Sequence, residues 1–91
     1  MTPDDYLELI SKHNGEALYP IDMKEAIVGV GARKKGPLCL LLDRDKCIEI
    51  LQGQGMDEEE AIEFFEFNTA GAYMGESTPI FVTVEDAWEN N

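Results

Sequence analysis

The sequence predicts an α+β fold in which about four helices pack on a two-stranded sheet, and three observations support this. Helix-capping residues precede four separate stretches. A continuous apolar run, Leu38 to Leu42, has the pattern of a fully buried strand. A second strand is predicted over Ile80 to Val84, where apolar residues alternate. The expected order is helix, helix, strand, helix, helix, strand in a single domain over residues 1–91, with a polar acidic tail from about 85 to 91.

The first helix is predicted by the residues at its amino-terminal end. Thr2-Pro3-Asp4-Asp5 supplies a capping hydroxyl, a proline at the first helical position and a carboxylate three residues after the cap. Asn14-Gly15 then supplies a left-handed stop. We therefore expect a helix over about residues 3–13, followed by a short connector from Glu16 to Pro20.

A second helix is predicted from residue 23, although a strand is a competing interpretation. Asp22-Met23-Lys24-Glu25 repeats the capping signature, and Gly36-Pro37 is typical of a helix stop. The intervening Ile27-Val28-Gly29-Val30-Gly31 is rich in β-branched residues, and its glycines disfavour a helix interior. The well-formed cap favours the helix over residues 23–33.

Two more helices are predicted between the strands. Asp43 or Asp45 caps the first, which ends in Gln52-Gly53-Gln54-Gly55. Asp57 caps the second, and Glu60 completes a capping box. This second helix is expected to reach residues 72–74 and to bury one face. The residues expected on that face are Ala61, Ile62, Phe64, Phe65, Asn68, Thr69 and Ala72.

The negative charge is concentrated in the C-terminal half of the chain. The 91 residues include 19 acidic and 7 basic side chains, for a net charge of −12. Residues 1–46 hold eight acidic and seven basic side chains, whereas residues 47–91 hold eleven acidic and no basic ones. Such a field repels phosphate backbones and anionic lipids, so direct binding to nucleic acid or membranes is not expected. A partner protein is expected to be basic.

Four of these acids recur at helical spacing, with no cation three or four residues away. This acidic row consists of Glu59, Glu60, Glu63 and Glu66. Because repulsion within the row costs stability, the row either serves solubility or presents charge to a basic partner. Phe67 falls on the same side, as does Met74 if the helix continues. Phe67 either anchors a protein contact inside a charged rim or packs under the first helix or Trp88.

No constellation of residues specifies a reaction, and we predict no catalytic, cofactor-binding or metal-binding residue. Glycines at 29 and 31 before Arg33-Lys34-Lys35 superficially suggest a phosphate cradle. However, no Walker Lys-Ser/Thr pair follows them, and the Rossmann glycine spacing is absent. Asp43-Arg44-Asp45 lacks a calcium-binding loop, and His13 has no second ligand beside it. The protein is therefore not expected to be an enzyme.

The cysteines and the apolar runs favour a cytoplasmic protein. Cys39 and Cys47 are too few for a disulfide framework and lie among apolar residues, so both are expected to be reduced and buried. Met1-Thr2-Pro3-Asp4-Asp5 does not resemble an export signal. The strongly apolar run from residue 38 to 42 is far shorter than a membrane span.

One long motif resembles a known group of proteins. It runs from Gly55-Met56-x-x-Glu59-Glu60-Ala61 into Phe65-x-Phe67-Asn68-x-x-Gly71-Ala72-Tyr73-x-Gly75-Glu76-x-Thr78-Pro79. Together with Glu25 to Val30, Asp43 and Lys46-Cys47-Ile48, it makes the region from about Lys24 to Val82 similar to a widespread group of small uncharacterised proteins of tailed bacteriophages and prophages. The resemblance implies an origin and no activity.

We therefore expect a non-enzymatic, phage-type accessory protein that binds a basic protein, such as a nucleic-acid-binding host protein, as a DNA mimic. One alternative is a homo-oligomeric assembly module in which Arg33-Lys34-Lys35 meets the acidic face of a second copy. A second alternative is a small-ligand or nucleotide binder that uses Gly29 to Gly36. The candidate interaction residues are Glu59, Glu60, Glu63, Glu66, Phe67, Asn68, Tyr73 and Glu76.

Overall fold

The first helix forms where its capping residues predict it. In the computed structural model, which describes residues 1–72 and 74–84, helix α1 spans Pro3–Ser11. The Thr2 hydroxyl accepts a hydrogen bond from the Asp5 amide at 3.3 Å, and the Asp5 carboxylate accepts one from the Thr2 amide at 2.8 Å. The helix ends two residues before the predicted end. Asn14 does not adopt the left-handed conformation there; its amide instead donates to the Leu38 carbonyl at 2.9 Å and to the Ser77 hydroxyl at 3.0 Å.

The predicted second helix is wrong for most of its length. A short 3₁₀ helix spans Ile21–Ala26, and strand β1 follows over Ile27–Ala32. Asp22 lies inside the first turn of the 3₁₀ helix, whose amino-terminal cap is Pro20 with no side-chain hydrogen bond. The β-branched residues that follow adopt the extended backbone that they prefer. The competing strand interpretation is therefore the correct one for residues 27–32.

The sheet has three strands instead of the predicted two. Strand β2 spans Leu38–Asp43 and pairs antiparallel with β1, with an irregularity in register between Ile27 and Gly29. The turn between them includes Lys35 at a φ of 63°. Strand β3, Ile80–Val82, pairs in parallel with β2, so the order in space is β1-β2-β3. The class is α+β, as predicted, but the second predicted strand is shorter than 80–84 and the order of elements differs.

Both helices between β2 and β3 begin at predicted caps. Helix α2 spans Arg44–Gly53, and Asp43 rather than Asp45 caps it by accepting from the Asp45 amide at 3.0 Å. Helix α3 spans Glu58–Phe64 behind the capping box of Asp57 and Glu60. The backbone then widens into a π turn over Phe65–Thr69, in which the Ala70 amide donates to the Phe65 carbonyl at 2.7 Å. The helical region thus ends before the predicted residues 72–74.

The helices pack on one face of the sheet and form the core there. Leu40 and Leu42 of β2 are fully buried among Ile10 of α1, Leu51 of α2 and the other core residues. The rings of Phe65 and Phe81 meet edge to face, with centroids 5.1 Å apart. Cys39 and Cys47 are both free thiols and fully buried, as predicted. No helix within the described residues is long and apolar enough to cross a membrane.

Candidate functional site

The acidic row lies on an exposed face of α3 and of the π turn, as predicted. Glu59, Glu60 and Glu63 are exposed and form no ion pair with any cation of the described residues. Glu66 does form one, because Nη2 of Arg44 lies 3.4 Å from its carboxylate. Arg44 is 22 residues from Glu66 in sequence, so the i,i+3 and i,i+4 spacings that pair charges along one helix do not predict this ion pair. The row is therefore neutralised at its C-terminal end and carries uncompensated charge over the rest of its length.

Phe67 lies beside the C-terminal end of the acidic row, four residues after Glu63. It is 77% exposed, so the interpretation in which it packs under the first helix is wrong; Trp88 lies outside the described residues. Two shallow grooves flank its ring. The inner groove, about 290 Å³, is lined by Met56, Glu60, Glu63, Phe64, Phe67 and Asn68. The outer groove, about 270 Å³, is lined by Glu59, Ile62, Glu63, Glu66 and Phe67.

The two grooves bring six of the eight predicted interaction residues together. Glu76 is exposed in a later turn and lines neither groove, although its carbonyl accepts a hydrogen bond from the Cys39 thiol at 3.4 Å. Tyr73 lies outside the described residues. We define the α3 surface as the acidic row, Phe67 and the two grooves.

A deeper apolar cleft adjoins the α3 surface, and the sequence did not indicate it. Its volume is about 340 Å³, and it lies between the connector that contains Leu18 and the C-terminal end of the helical region. Its apolar walls include Leu18, Met23, Phe64, Ala72, Met74 and Pro79. Asp22, Gln54, Asn68 and Thr69 supply polar groups. We call this cavity the cleft.

The cleft was missed because four of its residues were expected in the core, and three of these are exposed. Phe64 is 39% exposed, and Asn68 and Ala72 are also exposed, whereas Ala61, Phe65 and Thr69 of the same predicted face are buried. The π turn changes the 3.6-residue periodicity from residue 65 onward, which accounts for the exposure of Asn68 and Ala72 but not of Phe64, which precedes it. One available signal was Leu18-Tyr19-Pro20-Ile21, an unusually apolar sequence for a connector.

The glycine-rich segment before the basic residues forms a strand and a turn. Gly29 and Gly31 lie in β1 beneath the side chain of Leu41, and a Cβ atom at Gly31 would lie 3.3 Å from Leu41 Cδ2. The guanidinium of Arg33 donates to the carbonyls of Thr78 and Pro79 at 2.9 and 3.2 Å. Lys34 and Lys35 remain exposed and form no ion pair with a described carboxylate. The segment therefore lacks the helix amino terminus that a phosphate cradle uses.

Asp43, Asp45, His13 and Cys47 are each paired, exposed or buried in the core. Asp43 caps α2, and Asp45 pairs with Arg44 at 3.3 Å. His13 is exposed just after α1. Burial raises the pKa of the Cys47 thiol to about 12, so this thiol is protonated at neutral pH and is a poor nucleophile. Within residues 1–72 and 74–84, no group of three or more histidine, cysteine, aspartate or glutamate side chains is placed to hold a metal ion.

Comparison of the chain with protein-family models, with curated proteins and with solved structures found no match.

Proposed function

We propose that this is a non-enzymatic accessory protein that binds a basic partner protein through the α3 surface. The exposure of Phe67 between two glutamate-lined grooves supports this proposal more than any other observation. Solubility alone accounts for a charged face but not for an exposed aromatic ring that shares two grooves with its glutamates. An aromatic side chain within a charged rim is the usual composition of a protein-binding site, because the ring contributes buried area and the charges orient the partner.

The charge of the α3 surface specifies the class of partner. Glu59, Glu60 and Glu63 present carboxylates at helical spacing, so a partner with lysine or arginine side chains gains ion pairs along the row. Proteins that bind nucleic acid offer such cations, and a row of carboxylates competes with phosphates for them. We infer that the partner is a nucleic-acid-binding protein and that this chain occupies its site as a DNA mimic. A phage-type protein in the host cytoplasm would meet many such partners.

The experiment is a pull-down from bacterial lysate with variants that remove either two charges of the acidic row or the ring of Phe67. We expect the wild-type protein to capture a basic protein at low salt and to lose it as salt rises. The double variant Glu59→Gln/Glu63→Gln and the single variant Phe67→Ser should each capture much less of it. Glu8→Gln/Glu16→Gln removes the same number of exposed carboxylates elsewhere and should retain it. Equal capture by all four proteins would contradict the proposal.

A second candidate function is self-association, which Lys34 and Lys35 favour. These two exposed lysines lie in the β1–β2 turn, and they are complementary in charge to the α3 surface of another copy. Arg33 contributes less than expected to such a contact because its guanidinium is hydrogen-bonded within its own chain. Light scattering at low and high salt tests this candidate. A monomer under both conditions at high protein concentration contradicts it.

A further inference from the structure

The cleft and the two grooves of the α3 surface form a track of three neighbouring cavities. Phe64 and Asn68 line both the cleft and the inner groove, while Glu63 and Phe67 line both the inner and the outer groove. A single segment of another protein that crosses the exposed ring of Phe67 can therefore reach all three cavities.

The three cavities differ in chemistry along that track. The outer groove is lined by Glu59, Glu63 and Glu66, and the inner groove by Glu60 and Glu63. The cleft is lined mainly by apolar side chains, with Asp22 as its one acidic residue among those described. Its volume of about 340 Å³ lies within the range of cavities that enclose a compact apolar group.

Charge complementarity selects the occupant. A purely apolar ligand would fill the cleft but would gain nothing from the carboxylates beside it. A purely cationic segment would pair with the carboxylates but would leave Phe64 at 39% exposure and Met74 at 66% exposure uncovered. A segment with both features buries the apolar walls and pairs its cations at the same time.

We propose that the cleft receives one large apolar side chain, such as tryptophan, from a lysine- or arginine-rich segment whose cations lie on the α3 surface. The inference rests on the proposed function and adds a residue-level requirement to it. The partner must carry an apolar anchor at one end of its basic segment, and this anchor contacts Met23 and Met74.

The test uses two synthetic lysine-rich peptides that differ only in one terminal position, which is tryptophan in one and alanine in the other. The wild-type protein is labelled with ¹³C at its four methionine methyl groups. Met23 and Met74 line the cleft, Met56 lines the inner groove, and Met1 lines none of the three cavities. We expect both peptides to shift Met56, only the tryptophan peptide to shift Met23 and Met74, and neither to shift Met1.

Affinity measurements by fluorescence anisotropy complete the test. The tryptophan peptide should bind about tenfold more tightly than the alanine peptide. Ala72→Trp places a ring in the cleft and should abolish that difference, whereas Ala32→Trp, at an exposed position outside all three cavities, should preserve it. Glu59→Gln/Glu63→Gln should weaken both peptides by the same factor. If Ala72→Trp does not fold, the methyl shifts of the wild-type protein still decide the outcome.

The results separate the inference from the function on which it rests. Equal affinities for the two peptides, with Met23 and Met74 unshifted and both peptides weakened by the glutamine variants, would overturn the anchor and leave the proposed function standing. If neither peptide binds at low salt, the proposed function fails and the anchor fails with it. A third result is that the tryptophan peptide shifts Met23 and Met74, but Glu59→Gln/Glu63→Gln binds both peptides as tightly as the wild type does. The cleft would then bind an apolar group, and the acidic row would be overturned as the partner site.

Discussion

Nη1 of Arg33 donates a hydrogen bond to the carbonyl oxygen of Thr78 at 2.9 Å, across 45 residues of sequence. Nη2 extends the contact to the Pro79 carbonyl at 3.2 Å. The β1–β2 turn is thereby joined to the segment that leads into β3. A residue that the sequence assigns to a basic patch instead satisfies two backbone carbonyls next to the sheet, which are costly to leave unpaired when solvent is excluded.

Removal of this contact should loosen β3. We expect Arg33→Ala to lower the free energy of unfolding by about 1–2 kcal/mol, because both carbonyls lose a charged donor. Amide exchange of Ile80–Val82 should accelerate more than that of β1. Lys34→Ala, in the same turn, should change the stability by less than about 0.5 kcal/mol. Urea unfolding and hydrogen exchange measure both effects, and equal losses in the two variants would show that the contact contributes nothing.

Phe65 and Phe67 are two residues apart, but truncation should destabilise the fold strongly at Phe65 and hardly at all at Phe67. Phe65 is 2% exposed and packs against Phe81, so Phe65→Ala should cost about 3–5 kcal/mol. Phe67 is 77% exposed, and Phe67→Ala should change the stability by less than about 0.5 kcal/mol. Thermal and urea unfolding report both values. A large loss for Phe67→Ala would mean that its ring is packed in solution and would remove it from the proposed binding surface.

A side chain at Gly71, after the π turn, is expected to destabilise the fold. A Cβ atom there would lie 3.1 Å from the carbonyl oxygens of both Glu66 and Phe67, and backbone atoms cannot rotate away as a side chain can. Gly71→Ala should therefore cost about 1–3 kcal/mol. Gly53, the last residue of α2, has no atom within 4 Å of such a Cβ, and Gly53→Ala should stabilise by about 0.4–1 kcal/mol. Urea denaturation of the two variants side by side tests the prediction, which fails if both changes have the same sign.

The buried Cys47 thiol should make the fold less stable in alkaline solution. Its pKa is raised from 9.0 to about 12 in the folded protein, so the unfolded chain releases this proton at a lower pH than the folded one. The Cys47 contribution to stability is therefore complete below pH 9 and is lost as pH rises from 9 towards 12. Unfolding free energies measured at several pH values should show this slope. Cys47→Ala removes the Cys47 contribution, and an unchanged slope in that variant would assign the pH dependence to other groups.

Local signals predicted the elements whose ends are determined by capping. Thr2, Asp43 and Asp57 each accept the expected backbone hydrogen bond, and α1, α2 and α3 begin at the expected places. Asp22 has the same sequence signature, but it lies inside a 3₁₀ turn. Whether residues 27–32 form a helix or a strand depends on pairing with β2, where the side chain of Leu41 covers Gly29 and Gly31. That pairing is a tertiary interaction, which a cap motif does not report.

The sequence predicts the candidate site correctly where its residues follow helical periodicity, and the prediction fails where that periodicity changes. The acidic row lies within or just after α3, so its exposure followed from the spacing of the glutamates. The cleft depends on the π turn after Phe64 and on the connector near Leu18, two segments far apart in sequence. The ion pair of Glu66 with Arg44 likewise depends on how α2 packs against α3. None of these relationships is present in a window of neighbouring residues.

The mixed pairing of the sheet also determines an order of assembly. β1 and β2 are joined by one short turn, so their antiparallel contacts close a small loop and can form early. β3 is separated from β2 by α2, α3 and the π turn, so its parallel pairing closes a much longer loop. The three-residue strand should therefore dock last during folding and detach first under denaturing stress. A folding intermediate that contains the hairpin but lacks β3 would expose one edge of β2, where the third strand of another copy can pair.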